Sequence, residues 1–125
     1  MSRSLAGPLD TAVGAALEAG ALLRAAFHQP AAAGDSPGHC QADTDAEHLI
    51  RARLTTAFPD WGYRGEETGD LAGSPEGEYL WLVDPNDGTA AYQKGYLGSA
   101  VSIALLHNTV PVLGVVYAFA APPLH

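Results

Sequence analysis

Four carboxylates and two hydroxyls fall within two short stretches of this 125-residue chain, Gly65-Glu66-Glu67-Thr68 and Trp81-Leu82-Val83-Asp84-Pro85-Asn86-Asp87-Gly88-Thr89. Hard divalent cations prefer oxygen donors, and Mg2+ in particular is held by a few carboxylates together with water and substrate phosphate. A strand that ends in Asp84 and bends at Pro85 aims Asp84 and Asp87 at one point, and it leaves the backbone carbonyl of Asn86 free to face that point too. Past the turn, Gly88 and Thr89 are expected to open a short helix through Lys94 that ends at Gly95, with unpaired amides at its start. Such a terminus attracts phosphate. Cation and phosphate sites would then lie within a few residues of each other, as metal-assisted attack on phosphorus requires.

Plainer readings exist for the same residues. Asp84-Pro85-Asn86-Asp87-Gly88 is good turn chemistry in its own right, because Pro presets φ and Asn, Asp and Gly tolerate the rest. A plain turn does not, however, require an upstream Gly65-Glu66-Glu67. Thr44 followed by Glu47 forms a capping box, so Asp43, Thr44, Asp45 and Glu47 are what a helix start favours anyway. Glu67 either touches a cation or pairs with Arg64 or Lys94, while Asp45, Asp60, Asp70, Glu76 and Glu78 read as solvated surface charge. His28, His39, His48, His107 and His125 never approach ligand spacing, which argues against zinc. Cys40 stands alone, so one chain has no internal disulfide and no thiolate cluster. Trp61, Trp81, Tyr92 and Tyr96 are expected in the core or a pocket wall.

The elements that must position these residues follow from periodicity. Leu9, Val13, Ala16, Gly20, Leu23 and Phe27 recur at helical spacing and predict a core helix ending before Pro30, followed by an aperiodic loop over residues 30–41. A second helix is expected to start near Asp43 or Thr44 and to stop at Pro59. Residues 62–65 suggest a short strand, 71–77 a polar loop, and 79–83 a buried strand. Residues 99–106 and 110–119 are β-branched, apolar runs joined by His107-Asn108-Thr109, the pattern of an antiparallel hairpin covered on both faces. Helices first and strands later predict an α+β fold, a layered α/β sandwich with a mostly antiparallel sheet.

A formal charge of −8, with no Lys/Arg stripe, argues against nucleic-acid polymers and anionic membranes, which need a basic face. It is compatible with phosphate esters only if bound cations reverse the local potential. The apolar start is interrupted by Asp10, Glu18 and Arg24, which fits neither a membrane span nor a signal peptide, so the cytoplasm is the expected location.

The pattern D-P-x-D-G-T after an apolar strand, with G-E-E upstream, resembles the signature of the inositol monophosphatase family, which also includes bisphosphate nucleotidases and fructose bisphosphatases. Hairpin segments Ser99-Ala100-Val101-Ser102-Ile103-Ala104 and Gly114-Val115-Val116-Tyr117 resemble the family's sheet, so the likeness spans nearly the whole chain. The resemblance implies a phosphomonoesterase that hydrolyses a small phosphorylated metabolite in one displacement, using Mg2+, with Mn2+ as a substitute and Li+ as an inhibitor. It implies that Glu66, Asp84 and Asp87 supply carboxylate ligands and Asn86 a carbonyl ligand. Thr89 with Glu66 would orient and deprotonate the attacking water, Asp43 would partner Thr89, and Asp87, Gly88 and Thr89 would hold the substrate phosphate. Three departures from the family pattern stand out. Its members are longer, and their second half supplies a further aspartate and most substrate-recognising residues, so residues 1–125 read as a single domain incomplete at its C-terminus. Cys40-Gln41 replaces the usual valine-threonine pair, with no lysine in the loop before it, and Ala91 and Tyr92 follow where asparagine and phenylalanine are common. A shortened sheet exposes an edge, from which a homodimer is expected. Alternatives are a 3'(2'),5'-bisphosphate nucleotidase-like activity, or a cation-binding or assembly module without turnover.

Overall fold

A computed structural model describes residues 4–27, 41–73, 78–87 and 99–119, with Phe27 and Asp87 described by backbone alone. The helix expected from Gly88 to Lys94 lies outside the described residues.

Helix α1 spans Ala6–Phe27. The Ser4 hydroxyl accepts the Ala6 amide at 3.3 Å, and Pro8 sits in the first turn, where its missing N–H leaves nothing unsatisfied. The face turned to the core is Ala12, Ala15, Ala16, Ala19 and Leu23, each at most 1% exposed. Leu9 and Val13, expected on that face, are exposed, as is Leu17. Two stripes of α1 satisfy the helical period, and the one with smaller side chains faces inward because it lets the helix approach closely. Gly20 marks the tightest point: a Cβ there would strike the Tyr117 ring.

Helix α2 spans Gln41–Ala57 and buries Asp43, Ala46, Glu47, Ile50 and Leu54 along one stripe. It begins a little ahead of Asp43 and Thr44, which places Thr44 and Glu47 inside the helix. Glu47 is therefore not the reciprocal half of a capping box, and its carboxylate reaches residues of another element.

Five strands follow: β1 Gly62–Gly65, β2 Gly69–Leu71, β3 Tyr79–Asp87, β4 Ala100–His107 and β5 Val110–Tyr117. They form one sheet in the order β2-β1-β3-β4-β5, with β1 parallel to β3 and every other neighbour antiparallel. The α+β class with a mostly antiparallel sheet is as expected. Strand β2 takes Leu71 out of the expected loop, because the hairpin with β1 closes over only Glu66-Glu67-Thr68.

Helix α1 packs on β4 and β5, α2 packs on β1 and β3, and the helices pack on each other. Tyr63, Trp81, Val83, Val101, Ile103 and Leu105 fill the interface from the sheet side. Arg24 fastens the end of the hairpin to α1 by donating to the Phe119 carbonyl from Nε at 2.9 Å and Nη2 at 2.6 Å. Alternating residues Leu80, Leu82, Ala104 and Leu106 are only half-buried, and no second layer covers them among the described residues. Among the described residues the hairpin is thus covered on one face rather than two, and Val110 and Val116 are 58% and 73% exposed.

Asn108 and Thr109, with φ of 50° and 69°, make the two-residue hairpin turn whose hand matches strand twist. Phe58, Trp61, Tyr79 and His107 stack in succession at 4.3, 4.5 and 4.5 Å between ring centres. This stack closes the end of the sheet where β3 begins and β4 ends. Asp84 lies toward the opposite end of β3.

Candidate metal and phosphate site

Strand β3 does not turn at Pro85 as the sequence pattern suggests. It stays paired with β4 through Asp84↔Ser102 and resumes at Asp87↔Ala100, so Pro85 and Asn86 together oppose Val101. This is a β-bulge, a device that bends one strand and re-aims its side chains. Proline is tolerated there because a bulge residue need not donate to the ladder. Asp84 folds its carboxylate back along the bulge, where Oδ1 accepts the Asn86 amide at 3.2 Å.

Asn86 is 2% exposed, and its Nδ2 donates to Oδ1 of fully buried Asp43 at 2.8 Å. The first turn of α2 is thereby tied to the bulge. A helix N-terminus also favours a carboxylate such as Asp43 through its unpaired amides and dipole. The sequence pointed to the Asn86 carbonyl, while its side chain makes the observable link between α2 and β3.

Glu66 follows β1 directly. The parallel register Gly65↔Val83, extended by the Glu66 amide donating to the Val83 carbonyl at 3.3 Å, brings the Glu66 backbone, just past the end of β1, level with Asp84 of β3. Its side chain is exposed. The next two amides of the turn, Glu67 and Thr68, donate to the two oxygens of Glu47 at 2.8 and 2.7 Å, and the Thr68 hydroxyl donates to Glu47 as well. Arg51, one turn further along α2, donates from Nη1 to the Thr68 carbonyl at 2.9 Å and to its hydroxyl at 3.0 Å. The Arg51 guanidinium also lies 5.3 Å from the centre of the Tyr63 ring. Burial, and then the Glu47 charge, raise the Tyr63 phenol above its ordinary value.

Of the expected site residues, the fold therefore brings Asp43 to Asn86, Asn86 to Asp84, and Glu66 alongside Asp84. Gly88 and Thr89 lie outside the described residues, as does the side chain of Asp87. Among the described residues no three His, Cys, Asp or Glu side chains form a group able to hold a metal ion. Glu67 does not pair with Arg64, whose Nε instead meets Asp70 Oδ2 at 3.3 Å across the β1–β2 pair. Glu47 was missed as anything more than a cap. The signal was present: Asp43 and Glu47 share a stripe with Ala46, Ile50 and Leu54, and a carboxylate on an apolar stripe requires a buried partner.

Two helices on one face of a mixed sheet, with Glu66 just after β1 and Asp84 beside the β3 bulge, define the architecture to be matched. The chain belongs to the inositol monophosphatase family, whose sequence model matches residues 7–124. It is 36% identical over 114 residues to inositol monophosphatase 1 of Solanum lycopersicum, covering 87% of this chain and 42% of that protein. Among solved structures it is similar to the extragenic suppressor protein SuhB of Bartonella henselae, with a TM-score of 0.78 and 33% identity over 89% of this chain and 44% of that one. It is likewise similar to inositol monophosphatase from Anabaena, with a TM-score of 0.74 and 38% identity over 89% of this chain and 39% of that one. The chain thus spans less than half the length of these relatives.

Proposed function

We propose that this chain carries the cation-binding and water-activating part of a magnesium-dependent phosphomonoesterase acting on a small phosphate monoester. The observation that carries this reading is the backbone register that brings Glu66, just after β1, level with Asp84 of β3, next to a bulge tied through Asn86 to buried Asp43. Family membership supports the same chemistry.

The donor set suits a hard cation, being carboxylate and carbonyl oxygen without thiolate or imidazole. Glu66, Asp84, Asp87 and the Asn86 carbonyl would hold it. When bound, a divalent cation supplies Lewis acidity that makes water a stronger acid and offsets charge on phosphate oxygens. Thr89 and Glu66 would orient the attacking water and take its proton, with Asp43 fixing the hydroxyl. Backbone amides of Gly88 and Thr89, with Asp87, would receive the phosphate. Action in the cytoplasm is part of this proposal, supported by a lone cysteine in the chain.

The test is phosphate release from inositol monophosphates, nucleoside 3',5'-bisphosphates and sugar phosphates, each with and without Mg2+. Release that requires Mg2+ is expected from at least one monoester with a full-length version of the protein. Preference for the bisphosphates would shift the substrate class to nucleotides. No release from any of them by a full-length version of the protein would remove the catalytic claim.

A further inference from the structure

Helix α2 holds both segments that bear the site's carboxylates. Asp43 binds the β3 bulge through Asn86, and one turn later Glu47 binds the turn that follows β1. Side chains four apart on a helix are neighbours, roughly 6 Å between Cβ atoms, so the helix spaces its two attachments like a jig.

The second attachment is unusually complete. After Gly65 the three successive amides are all committed, Glu66 to the Val83 carbonyl and Glu67 and Thr68 to the Glu47 carboxylate. Thr68 also commits its hydroxyl to Glu47 and its carbonyl to Arg51. Gly65 completes the fit by close approach: a Cβ at that position would run into both Glu47 oxygens. A fully buried carboxylate is costly unless hydrogen-bonded, and here the turn supplies the donors. The backbone that carries Glu66 is therefore fixed on both sides while the Glu66 side chain stays exposed.

We propose that Glu47 is a positioning residue, which acts by locking the turn over residues 65–68 so that Glu66 is presented beside Asp84. This inference rests on the cation-site reading above for its functional consequence, but not for its structural content. Two readouts separate them. Amide order parameters and hydrogen exchange at Glu66, Glu67 and Thr68 report the lock itself, and Mn2+ titration by calorimetry reports its effect.

In Glu47→Gln the side chain keeps a single acceptor oxygen, so protection at residues 66–68 is expected to fall while the rest of the sheet keeps its protection. Mn2+ affinity is expected to drop about tenfold, the lower end of what loss of an outer partner does to a metal site. In a Glu66→Gln background the same substitution is expected to change Mn2+ affinity by less than about twofold, because its effect travels through Glu66. If the loss is the same with and without Glu66, or if residues 66–68 keep their protection, the proposal is overturned. Should Glu47→Gln fail to fold, Thr68→Val removes one donor to the same carboxylate, and the same coupling to Glu66 decides. Absence of Mn2+ binding by the unsubstituted chain would instead overturn the cation-site reading, with exchange at residues 66–68 still deciding for or against the lock.

Discussion

Asn86 connects two carboxylates with opposite needs. Asp84 lies partly open beside the β3 bulge and takes the Asn86 backbone amide, while Asp43 is sealed from water and takes the side-chain amide. Tyr63 illustrates the consequence of burying a phenol, with the charge of buried Glu47 adding to the effect. Its raised phenol means that the folded state keeps a proton that the unfolded chain gives up above the ordinary value of 10.0. From about pH 10 upward the unfolded state binds fewer protons, so stability is intact below that pH and falls as pH rises further. Guanidinium unfolding between pH 9 and 11 should show this fall, and Tyr63→Phe should flatten it; an equal slope in both would disprove the assignment. At this scale the sequence displayed Glu66, Asp84 and Asp87 openly, since a motif is local. Glu47 was hidden because the groups it serves lie about twenty residues downstream, and spacing along α2 carries no information about them. The same acid therefore looked like a cap.

Among the elements, both helices and the β4–β5 hairpin follow from periodicity and turn chemistry, because both are determined by near neighbours. The bulge in β3 is not legible in this way. Asp-Pro-Asn-Asp-Gly has the composition of a turn, yet continued pairing with Ala100 keeps the backbone extended, and tertiary pairing overrides local preference. Leu9 and Val13 on α1, expected in the core, are exposed for a related reason: periodicity locates a stripe but cannot rank two stripes by how closely a sheet must approach. The hairpin turn itself contains a strained choice. Thr109 holds φ of 69°, and a β-branched residue there costs about 1–2 kcal/mol relative to a residue without Cβ. Thr109→Gly should therefore stabilise the chain by about 1 kcal/mol after the entropy of glycine is counted, read as a higher urea midpoint at unchanged slope. A lower midpoint would show that the Thr109 hydroxyl, which donates to the Asn108 carbonyl, outweighs the strain.

For the whole molecule, the division of faces matters most. One face of the sheet is sealed by α1 and α2, and every link described above, from Asp43 to Asn86 and from Glu47 to the turn, is made on that side. These links around Asp43, Asp84 and Glu66 are made within this chain, which spans 42% of a relative such as the tomato enzyme. Acidic residues outnumber basic ones by eight, a balance that bound cations would offset. The central claim is accordingly a claim about cations. Calorimetric titration of Mn2+ into the chain and into Asp84→Asn tests it most directly: saturable binding that is lost or strongly weakened in Asp84→Asn is predicted, and either no binding, or equal binding by both proteins, would contradict the account.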